Sequence, residues 1–581
     1  MVPACKVKTS CQARLKADLK VQFNKTFVAL TCLFLLNHKH YRMKEPDSNY
    51  IWWHKEIIYQ IYPRSFQDSN GDGIGDLQGI IRRLDHLKWL GIGAVWISPI
   101  YPSPMADFGY DISDYTNIHP MFGTMEDFDR LVREVHSRGM KLILDLVPNH
   151  SSDQHPWFLE SRSSRDNPKR DWYIWKDPAR KGGCPNNWLG AFGGPAWEWD
   201  ENTQQYYYHA FLKEQPDLNW RNPEVQEAMF AVMRFWLDRG VDGFRVDVMW
   251  HMIKDDQFRD NPPNPGYQQH MNTYEQLLPV YSTDQPEVHG IIGKMRKVLD
   301  SYEERMMIGE IYLPVSKLMQ YYGADNKGAN LPFNFQLLTR PWDAQQIAAA
   351  IDEYEGALPE KGWPNWVLGN HDQPRIASRV GLQQAMVAAV LLLTLRGTPT
   401  IYYGEEIGMR DVPIPYYMIQ DPQGLNLPGK NLSRDPCRTP MQWSNDRNSG
   451  FSYAETWLPV GKDYTRENVQ AQKHDPHSML SLYKRLIQLR QSEPSLIAGK
   501  YAPVHSDRQM LAYSRKAEGE DEFIIVLNLS HRPCYFNPHN IHFRGKIELS
   551  TSPDLEGQPV EHNISIGGDE ALVVRLEKSR D

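Results

Sequence analysis

The chain has 581 residues, 41% of them hydrophobic and 23% charged, a globular composition too long for a single hydrophobic core. Net charge is −8, but residues 1–42 hold eight Lys/Arg and one acid, Asp18, so the remainder carries −15. An acidic body excludes nucleic acid as a partner. The six widely spaced cysteines form neither a disulfide framework nor a zinc site, which favours a reducing compartment.

Residues 1–48 read as an extension to the folded body. Their apolar run, residues 27–36, is too short to span a bilayer, which takes ~20 apolar residues. No small-residue cleavage site follows it. Met43 reads as the natural start, which gives a cytoplasmic protein with no stable membrane association. A genuine extension would make it a tail, or make the protein exported or membrane-tethered.

From residue 57, short apolar runs alternate with amphipathic helical patterns. The first strand is expected at 57–62. After it comes a loop with oxygen-bearing side chains at every second position, Asp68, Asn70 and Asp72, and again at Asp76. This spacing suits a structural Ca²⁺, with Ile74 contributing its main-chain oxygen. A polar turn capping the next helix is the alternative. A helix over 77–90 follows, then strands at 94–97 and 141–146 separated by a helix over 128–138.

The alternation breaks between His150 and Arg221, a Trp-rich stretch read as an inserted domain over 150–221. Strands then fit 244–246, 307–309, 331–335, 366–368 and 400–403, with helices at 224–238 and 384–396. Eight alternations predict a (β/α)₈ TIM barrel built from 49–149 and 222–496. An open doubly wound sheet is the alternative, but no Gly-rich fingerprint follows the first strand. Strand-like runs at 509–513, 522–528 and 570–576 predict a C-terminal antiparallel β-sandwich over 497–581.

Three carboxylates sit just past predicted strands: Asp247 after Gly243–Val246, Glu310 after Ile308–Gly309, and Asp372 in Gly369–Gln373. Acids at successive barrel strand ends point to one shared site. Cleaving an acetal between sugars needs one carboxyl as acid and, in a retaining enzyme, another as nucleophile. Arg245, two residues before Asp247, is expected to keep that aspartate ionised, and an apolar wall to raise the pKa of Glu310. On position alone, such acids could equally bind Mg²⁺ or cap helices.

Four segments appear in order: Asp145–His150, Gly243–Asp247, Gly309–Ile311 and Asn370–Gln373. With them, from about residue 51 to the end, the chain resembles the α-amylase family of glycoside hydrolases, family 13, near its oligo-1,6-glucosidases and α-glucosidases. Gln215–Asn219 is similar to that family's motif in the inserted domain. The resemblance implies Asp247 as nucleophile, Glu310 as general acid/base and Asp372 as transition-state stabiliser. It implies that Arg245, His150 and His371 contact the sugar, that Tyr110 stacks on it, and that Phe192 walls the pocket. It further implies that an Asp107–Arg434 ion pair closes the pocket beyond the non-reducing glucose, and that Asp68, Asn70, Asp72, Ile74 and Asp76 hold Ca²⁺. Val248 goes with α-1,6 cleavage in this group, while the segment between Gly404 and Arg434 is shorter than in typical oligo-1,6-glucosidases.

The resulting expectation is a retaining exo-α-glucosidase acting on short oligosaccharides such as isomaltose, maltose or sucrose, as a monomer or homodimer. A trehalose- or isomaltulose-forming transferase of the same family is the alternative. A catalytically silent transporter subunit is a more remote one.

Overall fold

The computed structural model describes residues 50–537, 543–561 and 563–578. The extension over 1–48 and the Met43 start lie outside them. Among the described residues no helix is long and apolar enough to cross a membrane.

The chain lays down β1 (Ile58–Ile61), β2 (Ala94–Ile97) and β3 (Lys141–Leu146). It then leaves for an inserted sheet of β4 (Trp175–Lys176), β5 (Trp197–Asp200) and β6 (Gln205–Tyr208). It returns for β7 (Gly243–Val246), β8 (Met306–Gly309), β9 (Leu331–Pro332), β10 (Asn365–Val367) and β11 (Thr398–Tyr402). Apart from the insertion these strands form one parallel sheet in the order β10-β11-β1-β2-β3-β7-β8-β9. The Asn334 amide donates to Asn365 O at 3.2 Å and closes the sheet on itself. This is the expected eight-stranded barrel.

Its strands are continuous apolar runs because both faces are covered. Alternate residues divide between two cores. Ile58, Ala94, Trp96, Ile143 and Ile308 fill the barrel interior with Phe333 and Phe335. Tyr59, Val95, Ile97, Leu142 and Leu144 pack outward against the helices.

The helices carry local start and stop signals. Leu77–Leu90 begins where Asp76 accepts from the Gly79 amide at 2.7 Å. It ends at Gly91, whose φ of 104° suits glycine. Met125–Ser137 has a reciprocal cap between Thr124 and Asp127, and Pro223–Asp238 starts on Asn222 with proline in its first turn.

The inserted stretch folds around Trp188, Trp197 and Tyr208, so these aromatic residues serve its own core. Two further long excursions were not anticipated. Residues 249–287 follow β7 and reach the insertion through Trp188 Nε1 to Arg259 O (2.9 Å) and Asn272 Nδ2 to Ala191 O (2.8 Å). Residues 403–478 separate β11 from its helix, Met479–Ser492.

The C-terminal region is antiparallel, as expected. It comprises β12 (Lys500–Ser506), β13 (Met510–Lys516), β14 (Glu522–Asn528), β15 (Cys534–Phe536), β16 (Arg544–Ser550), β17 (Pro559–Glu561), β18 (Ile564–Ile566) and β19 (Ala571–Leu576). Six strands form one sheet, and β15 pairs with β18 as a second layer. Phe536, Ile564 and Ile566 of that layer pack on Ala512, Val526 and Leu572.

Candidate active site

The carboxylates are placed by the barrel. Asp247 and Glu310 are the first residues after β7 and β8, and Asp372 lies five residues past β10. His150 follows β3, while Asp107 and Tyr110 lie on the loop after β2. Phe192 comes from the insertion and Arg434 from the excursion after β11. All eleven residues expected to act on or bind the sugar gather at the C-terminal end of the strands, where barrel sites form.

Arg245 is the hub. Its Nη1 donates to Asp145 Oδ1 and Asp247 Oδ1, both at 2.8 Å, and its Nη2 lies 2.6 Å from Glu310 Oε2. The Val248 amide donates to the same Glu310 oxygen at 2.9 Å.

One guanidinium serves three buried carboxyls. Burial pushes the Asp247 pKa up, Arg245 opposes it by favouring the ionised form, and Glu310 and Asp145 add to the push. Burial likewise raises Glu310 and lifts Asp145 to about 6.

Asp372 is different. It is 22% exposed, the most open of the group, and its Oδ1 accepts from Arg438 Nη2 (2.9 Å) and Arg434 Nη1 (3.3 Å). Burial opposes its charge, but His371 and the two arginines outweigh burial and lower its pKa. Of the three acids after β7, β8 and β10, Asp372 is the one whose charged form is favoured.

The ion pair expected between Asp107 and Arg434 is present. Arg434 Nη2 donates to Asp107 Oδ1 at 2.7 Å and to Asp421 Oδ1 at 2.6 Å, and Phe192 lies under the guanidinium at 4.6 Å. Gln215 Nε2 reaches Asp107 Oδ2 and His150 Nε2, at 3.2 and 3.0 Å.

Burial lowers the pKa of both histidines, His150 to about 3 and His371 well below its ordinary value. Gln60 Nε2 meets His371 Nδ1 at 2.9 Å, leaving Nε2–H towards Tyr110 Oη (2.8 Å) and Asp372 Oδ2 (3.2 Å). The Tyr110 ring stacks on His371 at 5.4 Å, and its hydroxyl donates to Asp145 Oδ2 at 3.1 Å.

A family model described as the α-amylase catalytic domain matches residues 60–499. The chain belongs to the α-amylase family of glycoside hydrolases. It is 40% identical over 565 residues to an oligo-1,6-glucosidase of Parageobacillus thermoglucosidasius, covering 90% of this chain and 99% of the relative. It is 43% identical over 486 residues to an α-glucosidase of Apis mellifera, covering 82% and 85%. Among solved structures, an α-glucosyl transfer enzyme superposes with a TM-score of 0.86 at 38% identity, over 92% of this chain and all of that one. The isomaltulose synthase of Protaminobacter rubrum gives 0.84 at 35% identity, over 91% and 99%. The protein is a glycosidase.

This family member has site residues that the sequence reading did not single out. Asp145 was quoted within a motif, yet it is a full partner of Arg245 and Tyr110. Asp421 and Arg438 complete the charge network around Arg434 and Asp372. Asp421 lies outside the four motifs, and only its pairing distance to Arg434 reveals it. Phe211 meets His150 and Phe192, with ring centroids at 5.3 and 5.5 Å.

The candidate metal loop lies apart, after β1. Asp68 Oδ1 accepts from the Asn70 and Gly71 amides and its Oδ2 from Gly73, at 2.7–2.9 Å. Asn70 and Asp72 each accept from the amide two residues on, and Asp76 caps the next helix. Among the described residues no three acidic, histidine or cysteine side chains group to hold a metal. The all-oxygen donor set suits Ca²⁺, but the loop is already closed by its own amides.

Proposed function

We propose that the protein is a retaining exo-α-glucosidase that releases terminal non-reducing α-linked glucose from short oligosaccharides such as isomaltose, maltose or sucrose. The observation that carries this is Arg434, which ties Asp107 and Asp421 together and touches Asp372. A wall placed there leaves room for one sugar unit over the carboxylates.

The chemistry divides between two acids held by Arg245. Glu310, with its raised pKa, gives a proton to the glycosidic oxygen as that bond to the anomeric carbon breaks. Asp247, ionised beside Arg245, attacks the anomeric carbon from the opposite face and forms a β-glucosyl ester. Glu310 then takes a proton from water, whose oxygen displaces Asp247, and α-glucose leaves. One guanidinium bonded to both Asp247 and Glu310 holds the two acids close, which fits retention, with ~5–5.5 Å between carboxyls, rather than inversion, which needs ~6.5–9.5 Å to admit a water. Asp372, kept ionised, stabilises the cationic transition state. His371, His150 and Arg245 hold hydroxyls, Tyr110 and Phe192 bound the ring, and Val248 faces the leaving group.

A second reading is glucosyl transfer or isomerisation, in which a sugar hydroxyl replaces water. It is favoured by the solved neighbours described as an α-glucosyl transfer enzyme and an isomaltulose synthase. Product analysis on maltose, isomaltose and sucrose separates the two: free glucose as the main early product supports hydrolysis, and new disaccharides support transfer. A Ca²⁺ in the loop at Asp68, Asn70, Asp72, Ile74 O and Asp76 is proposed as structural only.

A further inference from the structure

Two residues on the loop after β2 have left-handed backbones although neither is glycine: Met105 with φ 67° and Phe108 with φ 48°. Bulky side chains rarely adopt this conformation, and it persists only where the surroundings hold it. Asp107 lies between the two, and Tyr110 follows Phe108 by two residues. Asp111 closes the loop from within. Its carboxylate accepts from the Ala106 and Asp107 amides at 2.8 and 2.9 Å and from Ser103 Oγ at 2.8 Å. These bonds secure the backbone and leave the Met105 and Phe108 side chains to be held from outside the loop.

Both side chains meet one guanidinium. Arg64, in the short helix Pro63–Phe66 after β1, is only 6% exposed. Its Nη1 lies 3.7 Å from Met105 Sδ and 3.4 Å from Met121 Sδ, and its Cζ lies 5.0 Å from the centre of the Phe108 ring. The Trp457 ring covers it at 4.7 Å. That indole is itself anchored, through Nε1 to Ser65 Oγ at 2.9 Å and through its amide to Gly73 O at 3.2 Å. Among the described residues no acid pairs with Arg64, and its Nε is buried without a hydrogen-bond partner. Burial lowers its pKa, but an arginine keeps its charge.

A buried cation without an acid partner is costly. Here the charge rests on ring faces and polarisable sulfurs, and two of those four groups belong to the left-handed residues of one loop. We propose that Arg64 is a positioning residue for the closed end of the pocket. It pins Met105 and Phe108, and so aims Asp107 at Arg434 and Tyr110 at His371. The consequence for sugar rests on the glucosidase reading; the clamp on the loop does not. Asp107 and Tyr110 would grip the non-reducing glucose before and during reaction alike, so loosening them raises KM far more than it lowers kcat.

Hydrogen–deuterium exchange on the full chain, paired with steady-state kinetics, tests this. Arg64→Met should melt within a few degrees of wild type, because the buried charge it removes has no acid partner. Its amides over residues 103–111 should exchange about tenfold faster. KM for maltose and isomaltose, and the inhibition constant of D-glucose, should rise by about tenfold with kcat changed much less. Arg64→Lys keeps a cation among the rings and should restore both in part. Unchanged exchange over 103–111 in Arg64→Met overturns the clamp, and faster exchange with unchanged KM and glucose inhibition overturns its bearing on the pocket. Exchange that rises equally in the helix Leu77–Leu90 would make Arg64 a general support of the fold and overturns the proposal too. A wild type that cleaves neither disaccharide counts against the glucosidase reading instead, and the exchange measurement still decides the clamp.

Discussion

The Val248 amide donates to Glu310 Oε2 at 2.9 Å, and Val248 does so from a left-handed backbone with φ 35° and ψ 47°. A β-branched residue is strained there, by ~1–3 kcal/mol. The turn sets the amide against the acid and leaves the valine side chain beside the nucleophile, 7% exposed.

On the proposed function, that placement is expected to make Val248 a selector of the scissile bond. Val248→Thr should shift the ratio of kcat/KM for isomaltose to that for maltose towards maltose by about tenfold, within the ~1–3 kcal/mol of one pocket group. Initial rates on the two disaccharides measure it, and an unchanged ratio removes Val248 from the specificity determinants.

The raised pKa of Glu310 sets the pH dependence. Glu310 has a raised pKa in the fold, mainly from burial, so the folded state binds its proton more tightly than the unfolded chain. Its contribution to stability is present below the unfolded pKa and fades as pH rises through the folded one. Glu310→Gln should thus melt several degrees higher than wild type near pH ~8, and this advantage should shrink towards pH ~4. The same variant should lose activity least on aryl glucosides, whose leaving groups need no proton. Melting curves across pH and rates on aryl and alkyl glucosides check both statements.

Arg434 is buried against Asp107 and Asp421. Arg434→Ala strands two buried carboxylates and should cost about 3–5 kcal/mol of stability. It should also lower kcat/KM for disaccharides at least a hundredfold. Arg434→Lys should not restore either, because a point charge cannot span both acids and Phe192. Chemical denaturation and steady-state kinetics read the two effects separately.

The loop at Asp68–Asp76 predicts a calcium effect on stability alone. Removing the ion by chelation should lower the melting temperature by several degrees, reversibly, and leave kcat at low temperature unchanged. Identical melting with chelator and with added Ca²⁺ would show that the backbone amides on Asp68 suffice.

The barrel was legible because its strands are continuous apolar runs between helices with clear caps, such as Asp76 before Leu77–Leu90. Asp247, Glu310 and Asp372 were legible because the acids follow those strands closely. Strand β12 was not: its seven residues mix exposed Lys500, Pro503 and Ser506 with half-buried positions and a single buried one, Tyr501, so no alternation stands out. Nor was Asp421, whose turn sequence matches many surface loops and gains meaning only 2.6 Å from Arg434. Nor does the position of Arg245, two residues before Asp247, reveal the two other carboxyls that share it.

The most direct test of retaining catalysis by Asp247 is to trap its ester. A fluorinated α-glucosyl fluoride, slow to hydrolyse, is incubated with the protein, which is then digested and its peptides weighed by mass spectrometry. A glucosyl adduct on the peptide containing Asp247, absent from Asp247→Asn, is the predicted result. An adduct on Glu310 or Asp372 instead, or full activity in Asp247→Asn, would contradict it.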